Sequence, residues 1–351
     1  MTAEIARAFP DAPVYAILGR ASVAARMGIG DRVTALLPER ERLLRTYRSL
    51  APAYPLLVRS ARLPPADVVV ASSYAYAHGF RSVNGAPVVC YCHGPFRHLW
   101  SQQAQYAAQL PGGGPARAAF AAYCAMARTA DRAAARSVDS FCTQSPFTAS
   151  LIEQVYGRRA ELVPPAIDGA VFRPARSEPE PYFLFVGRLV EAYKRPSLVV
   201  DAFAQMPDLR LRIAGDGPAF ASLRRRASPN VEFLGRLEDG ALAAEMQNCQ
   251  AAIFPSADDF GLVPLEVNAC GRPVLALARG GARHTVKPGL SGEFLEDQTA
   301  AAIVAAVRRF DPARYHPDAV RRHALTRDTQ TFHQRIRDAA RRAADRAALV
   351  S

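Results

Sequence analysis

The most constraining feature of this chain is an alternation that runs through its whole length. Short apolar runs recur at 14–18, 67–71, 87–92, 140–143 and 161–163, then at 182–186, 209–214, 231–233, 251–255 and 273–276. Helical patterns such as 196–205 and 219–227 lie between most of them. Strand–helix alternation of this kind predicts parallel sheets covered by helices, an α/β fold. The proline-rich stretch 164–181 (PPAIDGAVFRPARSEPEP) has no sustained period and divides the chain into two near-equal α/β halves. At 351 residues, two domains of ordinary size fit better than one. A glycine cluster at 112–114 reads as a flexible loop, and the chain from about residue 317 reads as arginine-rich helix.

Composition narrows the class. Half of the residues are hydrophobic and 22% are charged, a globular balance. No run of 18 uncharged apolar residues suggests a membrane span, and the first residues carry no secretion signal, so a cytoplasmic location is expected. The net charge is +12, and only Lys194 and Lys287 among the basic residues are lysines. Arginine-rich solvated helix faces explain much of that charge; peripheral contact with anionic lipid on the inner face of a membrane is a second use for it. No RNP-like, zinc or helix-turn-helix signature accompanies the charge, so no nucleic-acid partner is expected. The six cysteines form no CxxC pair and sit mostly in apolar runs, which predicts buried reduced thiols and no metal site.

Three segments carry candidate chemistry. In YFLFVGRLVEAYKRP an apolar strand ends at Gly187, a loop carries Arg188 and Lys194, and a helix begins near Pro196. A helix N-terminus and two cations favour an anion such as a pyrophosphate, although ordinary βα loops carry such charges too. In AAIFPSADDFGLVPLEVNACGRPVLA, Asp258 lies in an acidic loop and Glu266 on the helix that follows. Both could face the crevice at the carboxyl end of a parallel sheet and accept bonds from sugar or ribose hydroxyls, with Gly261 and Leu262 offering backbone N–H groups to a phosphate. Asp258 or Asp259 could equally cap the helix. In PVVCYCHGPFRHLW, His93 follows a strand directly and is placed either to meet a sugar hydroxyl or to serve the fold. The turn Gly215–Asp216–Gly217–Pro218 reads as structural.

Taken in order, VPPAIDGAVFRP, FVGRLVEAYKRP, RIAGDGP, VEFLGRL, DDFGLVPLEVNACGRPVLA and GGARHTV resemble glycosyltransferase family 4, the retaining enzymes of GT-B fold. The first half, with ASSYAYAHGF, VVCYCHGPFRHLW and CTQSPFTASLIEQVYG, is similar to bacterial mannosyltransferase-like members that build surface polysaccharides. The resemblance implies two Rossmann-like domains facing across a cleft. Residues 1–172 would be the acceptor-side domain, 173–316 the nucleotide-sugar domain, and 317–351 a helical segment crossing back to the first. It implies that Gly187, Arg188 and Lys194 meet the donor pyrophosphate and that Glu266 holds the ribose. Asp258 would lie by the donor sugar, the backbone of Arg236 and Leu237 by the base, and His93 by the transferred sugar.

The resemblance further implies a nucleoside-diphosphate sugar as donor, a glycan or lipid-linked acceptor, and no cofactor or metal. Three departures from the family pattern stand out. Asp258 replaces the first of two glutamates, and His284 stands where relatives often carry glutamate. The opening MTAEIARAFPDAPVYAIL reads as a helix end followed by a strand, so the first strand and glycine-rich loop of the N-terminal domain are expected to be lacking. The alternatives to a hexosyltransferase are a GT-B epimerase or phosphorylase, and a non-catalytic homologue acting as a binding partner.

Overall fold

The computed structural model describes every residue except 47–49, 109, 111, 176, 177, 259, 350 and 351. The chain forms two compact units, Met1–Pro164 with Gln330–Ser351, and Pro165–Thr329. The division falls eight residues before the expected 172/173 boundary, at the start of the proline-rich stretch. Residues 317–329 stay with the second unit, and only the remainder of the C-terminal segment joins the first.

Among the described residues the first unit contains eight strands: β1 (Val14–Ala16), β2 (Val33–Ala35), β3 (Arg62–Leu63), β4 (Val69–Ser73), β5 (Arg81–Ser82), β6 (Val88–Cys92), β7 (Ser140–Thr143) and β8 (Ala160–Leu162). They form a parallel four-stranded sheet, β4-β6-β7-β8, and two separate parallel pairs, β1-β2 and β3-β5. All five residues of β6 are buried. Its side chains alternate, so Val88, Cys90 and Cys92 enter the main apolar cluster of the unit. On the other face the Tyr91 ring meets Phe332 of the C-terminal helix Thr329–Ala348, with ring centres 5.8 Å apart. Tyr15, Ile17 and Leu36, in or beside β1 and β2, pack on the Val88 cluster, yet no ladder bonds join β1 to β4 among the described residues. The six cysteines are buried and form no disulfide.

One local expectation is corrected. The glycines at 112–114 are not a free loop: Gly112, at φ +100, is the N-cap of the helix Gly113–Arg136. Glycine adopts that left-handed backbone at no steric cost, so the cluster turns the chain into the helix.

The second unit is built on β9 (Tyr182–Val186), β10 (Arg210–Ala214), β11 (Val231–Gly235), β12 (Ala251–Phe254), β13 (Val274–Leu277) and β14 (Gly292–Leu295). They pair in parallel in the order β11-β10-β9-β12-β13-β14, the doubly wound arrangement in which strand order reverses between β9 and β12. Every residue of β9 and β12 is buried. Phe183, Phe185, Ala251 and Ile253 enter the apolar cluster on one face, and Tyr182, Leu184, Ala252 and Phe254 the cluster on the other. A strand covered by helices on both faces reads as an unbroken apolar run, as YFLFV does. Among the described residues no helix is long and apolar enough to cross a membrane, and no cluster of three His, Cys, Asp or Glu could hold a metal ion.

Candidate functional site

The second unit has a crevice at the carboxyl ends of β9, β10 and β11, to one side of the point where strand order reverses. A cavity of about 570 Å³ opens there. Gly187 and Arg188 line it from the loop after β9, and Gly215, Asp216 and Gly217 from the turn after β10. Arg236 and Leu237, after β11, close a third side. Four of these residues were expected from the sequence. The Gly215–Gly217 turn was read as structural and is both: Asp216 accepts a hydrogen bond from the Gly217 N–H at 2.7 Å, and the turn forms part of the cavity wall. The signal was a GxG motif directly after a strand, too common to weigh by itself.

The cavity floor is backbone against backbone. A Cβ on Gly215 would stand 1.9 Å from the Gly187 carbonyl oxygen, and one on Gly217 would stand 2.6 Å from that of Leu189. Gly215, at φ +151, also takes a conformation that side-chain-bearing residues rarely adopt. These glycines let two strand-end loops pack backbone to backbone; the Gly187 N–H donates to the Ala214 carbonyl at 3.0 Å and the Gly215 N–H to the Gly235 carbonyl at 2.7 Å.

Lys194 runs along the same loop, its Nζ 3.7 Å from the place a Gly187 Cβ would occupy. Its side chain is only 11% exposed, and its ammonium pairs with the Asp258 carboxylate. The ammonium also lies 5.3 Å from the Phe254 ring centre, where the ring face attracts a cation. The second carboxylate oxygen of Asp258 is buried without a hydrogen-bond partner. Asp258 is therefore not the helix cap that the sequence allowed. The helix Leu262–Ala269 begins instead at Gly261, with φ +84 and no side chain capping it. Asp259, the other candidate cap, lies outside the described residues. Behind the loop, the Gly281 N–H donates to the Asp258 carbonyl at 2.7 Å.

The helix near Pro196 differs from expectation. Its first turn is already satisfied by a carboxylate of the protein, since Glu191 accepts from the Ser197 N–H at 3.1 Å and from its hydroxyl at 2.6 Å. Pro196 has no N–H to offer. The helix Leu262–Ala269, by contrast, has no side chain capping its first turn. Glu266 lies one turn further along that helix. Burial pushes its carboxyl up to about 7; Asp239 adds to the rise and the Lys194 ammonium opposes it. The sequence-predicted residues Lys194, Asp258 and Glu266 thus form one electrostatic group, while Arg188 is exposed at the cavity edge.

His93 belongs to the first unit, just beyond β6. Its backbone N–H donates to the Ser73 carbonyl at 2.9 Å and its own carbonyl accepts from the Gln144 amide at 2.9 Å. Its ring Nε2 lies 3.0 Å from the Ser72 hydroxyl. Burial pushes its imidazole down to about 4, with a smaller contribution from the Met1 amino group, so the ring is neutral near pH 7. His284 is exposed, and partial burial together with its neighbours Arg283 and Arg327 pushes its imidazole below the ordinary value.

Two α/β units, one carrying a glycine-floored crevice at the carboxyl ends of a doubly wound parallel sheet, define a protein of the GT-B fold class. The family Glycosyltransferase Family 4 matches residues 2–171, and Glycosyl transferases group 1 matches residues 169–315. The chain belongs to the family 4 glycosyltransferases.

Solved structures support the fold. Anabaena Alr3699/HepE, in complex with UDP and glucose, superposes with a TM-score of 0.70 at 18% identity, over 96% of this chain and 94% of that one. A glycosyltransferase from Rickettsia africae ESF-5 gives 0.64 at 14% identity, over 97% and 93%. Among curated relatives, the D-inositol 3-phosphate glycosyltransferase of Mycobacterium marinum is 34% identical over 179 residues, 43% of this chain and 37% of that protein. The enzyme of the same name from Geodermatophilus obscurus is 34% identical over 197 residues, 48% and 44% of the two chains. The matches thus span less than half the length of these relatives.

Proposed function

We propose that this protein is a retaining hexosyltransferase using a nucleoside-diphosphate sugar as donor and a glycan or lipid-linked molecule as acceptor. The observation that carries the reading is the crevice of the second unit, where Lys194, Asp258 and Glu266 converge beside a cavity of nucleotide size. In the reaction the bond from the anomeric carbon to the β-phosphate oxygen breaks. The nucleoside diphosphate leaves with the bonding pair, and an acceptor hydroxyl takes the anomeric carbon from the same face. The acceptor proton ends on the departing phosphate.

Arg188 and Lys194 would meet the diphosphate as its charge grows, with the N–H groups of Gly261 and Leu262 alongside. In this reading the two cations do the work a divalent ion does elsewhere, so turnover should continue in EDTA. Lys194 is held by Asp258 until the phosphate competes for it, which leaves Asp258 free to turn to the sugar. Glu266 would accept from the ribose hydroxyls, the backbone of Arg236 and Leu237 would meet the base, and His93 would meet the transferred sugar as a neutral imidazole.

A mannosyl donor, GDP-mannose, is the finer form of the proposal. It rests on the likeness of the first half to mannosyltransferase-like sequences. The net charge of +12 supports a further element, contact with anionic lipid at the cytoplasmic face. Binding to anionic vesicles at low salt, absent at high salt, is the expected result.

The decisive experiment is a thermal-shift screen of GDP-, UDP- and ADP-sugars, followed by turnover of the stabilising donor in wild type and Lys194→Ala. We expect one donor class to raise Tm and Lys194→Ala to lower kcat/KM by about a hundredfold or more. Wild-type turnover in Lys194→Ala would overturn the site assignment.

A further inference from the structure

The helix Gly113–Arg136 carries a single acidic residue, Asp131, among alanines and arginines. Such a residue would normally face water, yet its side chain is fully buried. A buried carboxylate is tolerated only when other groups satisfy it. Oδ2 accepts from the Trp100 indole N–H at 2.9 Å and from the Tyr156 hydroxyl at 2.8 Å. Oδ1 makes no hydrogen bond and faces His78 Nε2 at 3.4 Å. On its other side His78 Nδ1 lies 2.9 Å from the Ser73 hydroxyl.

One carboxylate therefore gathers four parts of the unit. They are its own helix, Tyr156 at the end of the helix Pro146–Tyr156, the turn that follows β6, and the turn that follows β4. The last two are the segments that hold His93. Ser72 and Ser73 end β4 and bond to the His93 ring and backbone. Trp100 ends the turn that begins at His93, and the Arg128 guanidinium secures its neighbour by donating to the Leu99 carbonyl at 2.6 Å. Arg132 lies over the indole at 4.7 Å from the ring centre. Asp131 thus fixes the chain on both sides of His93 without touching it.

We propose that Asp131 is a positioning residue for His93, acting through Trp100 on one side and through His78 and Ser73 on the other. The proposal rests on the reading of His93 given above. Placement errors of an ångström cost turnover, not donor affinity, when the donor is bound by other residues. Donor binding belongs to the second unit, so the two readouts separate.

Trp100 is the only tryptophan, so its emission reports on the clamp directly. Asp131→Asn turns an N–H₂ group toward partners that themselves donate. We expect kcat to fall about tenfold or more with donor KM within about twofold, and Trp100 emission to shift to longer wavelength. Tyr156→Phe removes one bond with little change of shape and should lower kcat about threefold, with a smaller shift in the same direction. It serves as the test if the Asn variant does not fold. Wild-type kcat and emission in both folded variants would overturn the proposal. So would a kcat loss matched by an equal loss of donor affinity, which would mark general destabilisation. If the wild-type chain binds none of the GDP-, UDP- or ADP-sugars, the transferase reading fails instead, and the emission of the two variants alone decides whether Asp131 clamps the turn.

Discussion

The two units use the same kinds of segments and build different sheets. In the second, six strands pair without interruption, and β9 and β12 are buried along their whole length where the strand order reverses. In the first, the sheet β4-β6-β7-β8 stops at β4, and β1 and β2 pair only with each other while packing on the same apolar cluster. Burial follows pairing. β4 alternates buried and half-buried residues, and β1 has no buried residue at all. A strand flanked on both edges can lose both faces to helices, whereas one with an open edge keeps N–H and C=O groups that need other partners. The two candidate sites differ in the same way. The crevice of the second unit is shaped by backbone contact between glycines; His93 in the first is held by side-chain bonds to Ser72, Gln144 and, at one remove, Asp131.

The sharpest way to break the comparison is Gly215→Ala. Its Cβ would collide with the Gly187 carbonyl in a backbone region alanine avoids, so we expect a loss of about 3 kcal/mol. That corresponds to a fall in Tm of roughly 10 °C for a unit of this size, measured by thermal melting, together with loss of nucleotide stabilisation. An alanine variant with unchanged Tm would show that the floor is softer than its geometry. Next in size is His93→Ala. It leaves the second unit untouched and should lower kcat by about tenfold to a hundredfold with donor affinity preserved. An equal loss in donor binding would refute the separation of roles.

The smallest effect is a contrast in pH dependence. The Glu266 carboxyl is raised from 4.5 to about 7 in the folded chain. The folded state holds the proton more tightly, so this group lowers stability as pH rises from about 4.5 to 7. The His93 imidazole is lowered from 6.5 to about 4, so the unfolded state takes the proton first, and stability is lost as pH falls from about 6.5 to 4. Denaturant melts of Glu266→Gln and His93→Gln between pH 4.5 and 6.5 should therefore change the slope of stability against pH in opposite directions. Nucleotide affinity should rise roughly tenfold from pH 6 to 8 in the wild type as Glu266 ionises, and stay flat in Glu266→Gln. Parallel wild-type and variant curves would remove Glu266 from the ribose contact.

Much of this was legible from spacing alone. The runs YFLFV and VVCYC, rich in aromatic and β-branched residues, are the buried strands β9 and β6, because burial on both faces leaves an uninterrupted signature. The pairs β1-β2 and β3-β5 and the last strand β14 were harder. β2, β3 and β5 are two or three residues long, and β14 (GEFL) opens with a glycine beside a polar residue. The cavity residues Gly187, Arg188, Arg236 and Leu237 followed from motif order, whereas the pairing of Lys194 with Asp258 joins positions 64 residues apart and leaves no local trace. Glu191 occupies the helix start where an anion was expected, since a carboxylate five residues before the helix reads as one more surface charge. Asp131 was hidden for the same reason: local composition describes its neighbours on the helix and says nothing of Trp100, Tyr156 and His78.

The glycine floor also bears on how such a protein changes over generations. At Gly215 and Gly217 any side chain would enter occupied backbone, so single substitutions there are removed before they can be tried on a new donor. The rim is different, because Arg188 and Arg236 are exposed side chains and Leu237 is only partly covered. Variation that reaches a new base or sugar must enter through those rim positions. The floor should therefore be kept whole, and a lineage acquiring a new ligand would hold these glycines while its rim drifts.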